Sequence, residues 1–250
     1  MVGLGTILNV ATILVGSAVG VAFGHRLPER TSRIVTDAIG LTTLVIGGLN
    51  VVALRDESFV AAVGSGVTLL VVLAALIVGG IIGSLVRLED RLESAGGWIQ
   101  ARASAEGGSA GRARFIEGFV DASLVFCIGP LAVLGALSDG LGHGIDQLAL
   151  KSTLDGFTSL AFAASLGWGV AAAAISVGVW QGLVTVLAVL LGSLLPPALV
   201  ASITATGGVL LLGVALRLLQ VRAVQVGDLL PSLLLAPVIT AVLMQVLPHA

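Results

Sequence analysis

The sequence has no tyrosine, one cysteine, two methionines and only 10% charged residues. Each shortage excludes something. The lone Cys127 rules out an intramolecular disulfide and any metal site built from several cysteines. A chain without tyrosine and with a net charge of −2 offers neither a base-stacking platform nor a basic field, so nucleic acid is not an expected partner. The three histidines, His25, His143 and His249, lie outside the apolar runs. They show no metal-ligand spacing, and none is placed to serve Ser123 or Ser159 as a base. No glycine-rich phosphate loop follows a strand, because no strand is expected. The sequence therefore points away from enzymatic chemistry and implies no cofactor or metal. The shortage of charge excludes most. Soluble domains carry about 25% charged and about 45–50% apolar residues. This chain is 57% apolar with a mean hydropathy of +1.12. No globular core of this size hides that much apolar surface, since such a domain still exposes roughly a quarter of its chain. The expected solvent is the lipid bilayer.

What is present is a succession of apolar runs. A spanning helix needs about 20 mostly apolar residues, which gives eight candidates over 4–24, 34–54, 58–86, 115–138, 153–169, 170–196, 203–221 and 226–247. The expected fold is all-α, a single polytopic membrane domain over 1–250. The fourth and fifth candidates are the ones open to being short or re-entrant, the fifth especially, since its boundary with the sixth falls at Gly167-Trp168-Gly169. With eight spans, the loops after spans one, three, five and seven hold Arg26, Arg30, Arg33, Arg87, Arg91, Arg102, Arg112, Arg114, Arg217 and Arg222, while the other side holds only Arg55 and Lys151. The positive-inside rule makes the first side cytoplasmic and puts both termini outside. The N-terminus lacks a basic leader and cleavage site, so the first apolar run is read as retained. The polar stretch 87–113 divides a three-span block, 1–86, from a five-span block, 114–250. Leu88, Leu92 and Ala95, with Trp98 and Ile99 near that face, predict an amphipathic helix at the cytoplasmic interface. A Gly/Ser/Ala linker over 103–111 follows it.

Two stretches echo each other. Glu117-Gly118-Phe119 and Asp155-Gly156-Phe157 each lead an apolar segment, 38 residues apart. Gly40 through Arg55 resembles Gly207 through Arg222 at an offset of 167, and Val15-Gly16-Ser17 resembles Leu191-Gly192-Ser193. Each relation joins spans an odd number apart, so the duplicated segments point opposite ways. That is the inverted-repeat plan of many transporters.

Glu117 and Asp155 have two readings. A carboxylate in the first turn of a helix complements the macrodipole and needs no other role. Alternatively both helices begin inside the protein, and Glu117, Asp121 and Asp155 face a wet cavity with the hydroxyls of Ser123, Thr158 and Ser159. Ionisable groups within a membrane usually mark a pathway. Such a set suits a cation or proton better than an anion. Asn9, Gln181, Thr6 and Asn50 are the other polar intruders, either lining the pathway or bonding between helices. Lys151, four residues before Asp155, reads as its ion-pair partner. Asp37 reads as a surface partner of Arg33. Gly16, Gly20 and Gly24, and Gly79 to Gly83, form small-residue stripes for close helix packing or for a subunit interface.

Gly5-Thr6-Ile7-Leu8-Asn9, Glu117-Gly118-Phe119 running into Ala122-Ser123-Leu124, Lys151-Ser152-Thr153-Leu154-Asp155-Gly156, Gln181-Gly182 and Ala205-Thr206-Gly207-Gly208 together resemble the YqgA/YdfK-type bacterial inner-membrane family, a group whose function is not assigned. The resemblance runs along nearly the whole chain. It implies a multi-pass protein of the bacterial inner (cytoplasmic) membrane, commonly guessed to be a transporter, and it implies no substrate and no site. The expected function is movement of a small solute or cation through a site formed by Glu117, Asp121, Ser123, Asp155, Ser159, Asn9 and Gln181, in a homo-oligomer such as a dimer. The alternative is a non-transporting scaffold or sensor that uses 87–113.

Overall fold

The computed structural model describes residues 2–24, 28–102, 109–128, 130–191 and 196–246. Most of the expected linker, the loop with His25 and Arg26, and the termini lie outside the described residues. Among the described residues there is no strand. The helices are α1 (Leu4–Gly24), α2 (Glu29–Val51), α3 (Glu57–Val63), α4 (Val67–Val86), α5 (Leu88–Arg102), α6 (Ser109–Cys127), α7 (Pro130–Gly140), α8 (Asp146–Leu166), α9 (Gly169–Leu191), α10 (Pro197–Leu218), α11 (Val226–Leu229) and α12 (Ser232–Val246).

Among the described residues, six helical segments are long and apolar enough to cross a membrane: Leu4–Gly24, Arg33–Arg55, Val67–Val86, Gly169–Leu190, Pro197–Leu218 and Val226–Val246. A seventh results if α6 and α7, which meet at 79°, are counted as one broken span. The fifth expected segment is corrected. It does not begin at residue 153 and is not re-entrant, because α8 is an unbroken helix of 21 residues starting at Asp146. Its polar residues, Asp146, Lys151 and Asp155 among them, hid its first two turns from an apolar-run reading. The break falls in the fourth segment instead, after Cys127. The third candidate is also divided, with α3 capped by Asp56, whose carboxylate accepts from Ser58 N at 3.0 Å and Phe59 N at 3.3 Å.

Glycine decides how these helices meet. A Cβ on Gly16, Gly20 or Gly24 would collide with the carbonyl oxygen of Gly156, Leu160 or Ala164, respectively. The α1 stripe therefore lies on the backbone of α8, and residue numbers rise together, so the two helices run parallel. Gly5 against Leu148 extends the contact to their other ends. The stripe is an intramolecular seam and is not available as a subunit interface. Gly79 and Gly83 of α4 likewise abut Ser232 and Asp228 around α11 and α12. Gly47 of α2 and Gly208 of α10 touch each other's carbonyls in an antiparallel crossing. Gly169 of α9 rests on Phe115 of α6. A buried core of Ile13, Phe119, Phe126, Phe162, Val177 and Leu210 fills the space between α1, α6, α8, α9 and α10. Within it the rings of Phe126 and Phe162 lie 6.1 Å apart.

One end of the bundle gathers the C-terminal ends of α1, α8 and α10 with α5 and the start of α6. Arg114 donates to the Ser165 carbonyl there, with Nε at 2.7 Å. A cation on the last turn of α8 complements its dipole. The face of α5 is rotated from the expected one. Glu89, Gly96 and Gly97 are buried, Leu92 and Ile99 half-buried, and Ala95 and Trp98 exposed. Gly96 fits against the Phe119 ring, and Arg102 covers the outward Trp98 ring at 4.2 Å. The helix docks on protein through Glu89, Gly96 and Gly97, and its Trp98 side faces outward.

The α1–α8 seam predicts a sharp contrast between glycines. Gly20→Leu forces backbone apart and should cost about 1–3 kcal/mol or more, whereas Gly48→Leu, with nothing within 4 Å of its Cβ position, should leave the fold unchanged. Thermal unfolding of the two variants in detergent checks this.

Candidate functional site

Lys151 and Asp155 stand one turn apart on α8, the spacing that brings two side chains onto one face. Asp155 Oδ2 accepts from Lys151 Nζ at 2.6 Å and from Asn9 Nδ2 at 2.9 Å. The two charged side chains are only 8% and 10% exposed. Asn9 reaches Asp155 because the glycine stripe, beginning two turns later on α1, lets the two backbones touch. Asp155 is midway along α8, not at a helix start, so its carboxylate is not explained as a first-turn complement to the dipole. A buried charge is costly unless paired and hydrogen-bonded, and here both conditions are met.

The pair opens onto a cavity of about 470 Å³ between α2, α6, α7 and α8. Its walls are mostly apolar, with Val125, Ile128 and Ala132 on one side. Thr42, Thr43 and Asn50 of α2 and Thr158 of α8 add polar atoms. Among the described residues, Lys151 and Asp155 are the only charged ones lining it. The Thr42 hydroxyl donates to the Ala38 carbonyl at 2.9 Å. The Asn50 Nδ2 amide, by contrast, is buried without an acceptor among the described residues, and so is Asn9 Oδ1 without a donor.

Asp121 belongs to a different cluster. It lies 3.1 Å from Arg217 Nε, but neither of its buried oxygens receives a well-aimed hydrogen bond among the described residues. The attraction is one of charge across a short distance. Arg217 also donates through Nη1 to Glu89 Oε1. Glu89 in turn accepts from Gly227 N at 2.6 Å through Oε2, and its own N–H donates to Asp228 Oδ1 at 2.9 Å. This network ties α5, α6, α10 and α11 together at the arginine-rich end. A third carboxylate, Asp139 at the end of α7, accepts from Gly3 N at 3.1 Å and Gly5 N at 3.0 Å, capping α1 from far along the chain.

The expected set thus separates. Asn9 and Asp155 come together, joined by Lys151. Glu117 is corrected: it is exposed and does not meet Asp155, because α6 begins two turns before it, at Ser109, and continuous burial starts only at Gly118. Ser123 donates to Ser176 Oγ at 3.0 Å and Ser159 to its own helix at Gly156 O, 2.9 Å away. Gln181 is fully buried, and both its amide atoms lack partners among the described residues. Glu89, Arg217 and Asp139 were missed. Local pattern gives no sign that tertiary contacts draw them inward.

A family model described as a protein of unknown function (DUF554) matches residues 4–241. The chain belongs to the DUF554 family. Two relatives of this DUF554 chain agree in coverage. The uncharacterized membrane protein YdfK of Bacillus subtilis (strain 168) is 30% identical over 214 residues, 85% of this chain and 84% of the relative. The uncharacterized protein YqgA of Escherichia coli (strain K12) is 30% identical over 214 residues, 86% of each. No solved structure matches the DUF554 chain. The family, the relative's name and the apolar helices agree on a membrane protein.

The buried pair makes a stability prediction. Lys151→Met leaves Asp155 charged and unpaired and should cost about 3–5 kcal/mol. Adding Asp155→Leu should recover most of that loss. Unfolding of the single and double variants in detergent measures the difference.

Proposed function

We propose that this DUF554 protein carries a small solute across the bacterial inner membrane through the cavity beside Lys151, Asp155 and Asn9. The observation that carries the reading is a buried ion pair at a mostly apolar cavity that opens between α2 and α8, where Leu154 and Phe157 are exposed. Structure alone does not require charge there, because well-packed apolar residues are often as stable as a buried pair. Small-solute sites have this form, a largely apolar hollow with a few placed polar groups.

The reading includes eight crossings. The parallel seam holds α8 at the depth of α1 from Gly5 to Gly24, so a membrane that α1 crosses is one that α8 crosses too. The α6–α7 pair supplies the remaining span as a broken helix, and broken helices commonly border transport sites. The arginine-rich end is then cytoplasmic and both termini are periplasmic. Inverted repeats remain part of the proposal at the level of helix pairing. α1 runs parallel to α8, and α9 runs parallel to α6, with α7 along its later turns, as an exchange of α1 with α9 and of α6 with α8 would give. The sequence offsets do not carry over to register. They would set Gly118 against Gly192, whereas Gly118 abuts Leu166 and Val170.

Uptake of a labelled small-solute panel into proteoliposomes tests the site. Flux above that of protein-free vesicles should fall at least tenfold on Asp155→Asn or Lys151→Gln and stay unchanged on Glu117→Gln. Equal flux in all three, with intact fold, would reject this cavity. A reporter fused after Ala250 should read as periplasmic, and a cytoplasmic signal would overturn the eight-crossing topology.

A further inference from the structure

Two buried polar atoms, one beside Asp155 and one on the cavity wall, lack complementary partners among the described residues, and they are of opposite kinds. Asn9 Oδ1 is an acceptor without a donor, on the amide whose Nδ2 already donates to Asp155. Asn50 Nδ2 is a donor without an acceptor, on the α2 wall. Lys151 has further N–H groups beyond the one that Asp155 accepts. We infer that the cavity takes a small organic anion together with one proton, the proton going to Asp155 and the anion to Lys151 and Asn50. The inference rests on the transport reading of this cavity and specifies its cargo.

Lys151 and Asp155 form an ion pair that is neutral in sum, and among the described residues no other charged side chain lines the cavity. In a low-dielectric interior a load of net charge is opposed by its own desolvation, so the load must be neutral in sum. A proton on Asp155 removes the carboxylate's claim on Lys151 Nζ. It also permits a pairing that the ionised form cannot make. A carboxylic acid and a primary amide close a two-bond ring in which the amide N–H donates to one acid oxygen and the acid O–H donates to the amide oxygen. Asn9 already contributes the first bond, and its unpartnered Oδ1 is placed on the same amide to accept the second. The released ammonium and the Asn50 amide then present donors to the anion's oxygens. Every atom balances: a carboxylate anion and a proton enter from one side, no covalent bond to carbon changes, and both leave on the other. The groups facing Asp155 are Lys151 from its own helix, Asn9 from α1, the Cys127 thiol of α6, which feels the charge of both Lys151 and Asp155, and the Asn50-bearing wall of α2. From α7, Asp139 at the α1 end is held by the Gly3 and Gly5 amides. A bare cation would face the opposite problem, since it must either sit beside the Lys151 ammonium or displace a proton from it.

Calorimetry and a pH indicator in weakly buffered detergent test the coupling, with formate, lactate and benzoate as three probes of rising size. At least one should bind with uptake of about one proton per anion, and its affinity should weaken about tenfold for each unit of rising pH, as one-proton linkage requires. Asp155→Asn imitates the protonated acid and should bind the same anion with no proton uptake and little pH dependence. Asn50→Ala should weaken binding while keeping the proton stoichiometry, so the result does not hang on the more disruptive variant. Binding of none of the three, anion binding without proton uptake, or sodium or potassium binding with proton release would each overturn the inference. Proteoliposomes separate it from the broader reading. Proton-linked binding without flux removes transport and leaves the site. Flux that follows an imposed membrane voltage keeps transport and removes the neutral pairing.

Discussion

The rest of the structure depends on three carbonyls of α8 lying against three glycines of α1. Without Cβ atoms between them, two helices distant in the chain run parallel in backbone contact, the geometry that small-residue stripes permit in membranes. The polar contact between Asn9 and Asp155 follows from that closeness. The contact holds a helix too polar to look like a span at the depth of one that does. It also lets the short side chain of Asn9 reach across to Asp155, and a bulkier seam would leave that amide out of range.

The second constraint is the cost of charge away from water. Each buried carboxylate is answered differently. Asp155 is answered by an ammonium on its own helix and an amide from α1. Asp139 is answered by two backbone N–H groups at the start of α1, where the helix dipole favours a negative charge. Asp121 is answered by a guanidinium that it shares with Glu89. The first of these opens on a cavity. The other two join elements far apart in the chain and read as fasteners. One fixes where α1 begins and the other holds α5 against the bundle at its arginine-rich end.

The expectation of a cation site came from counting carboxylates without their partners. Glu117, Asp121 and Asp155 read together as a concentration of negative charge. In the fold Glu117 is exposed, Asp121 is matched by Arg217, and Asp155 is matched by Lys151. What remains at the cavity is a neutral pair with an unused donor and an unused acceptor nearby, which is why a proton with an anion fits better than a metal ion. The Lys151–Asp155 pairing itself was legible, because helical spacing places residues four apart on one face whatever the rest of the chain does.

Composition alone determined that the chain belongs in lipid and is helical, since too few charges remain to cover a surface in water and a bilayer core admits helices with all backbone bonds made internally. The apolar runs announced six of the spanning segments, although the run over 58–86 merged α3 with α4, because each is long enough to show itself without reference to a neighbour. Tertiary structure decided the rest: that α8 is unbroken and α6–α7 is the bent pair, that the α1 stripe faces inward, that α5 turns Glu89 toward Arg217, and which of the carboxylates is buried. Local pattern places an acid on a helix, but only the packing of a second helix against it determines whether water is removed, and the chemistry of a carboxylate depends on that.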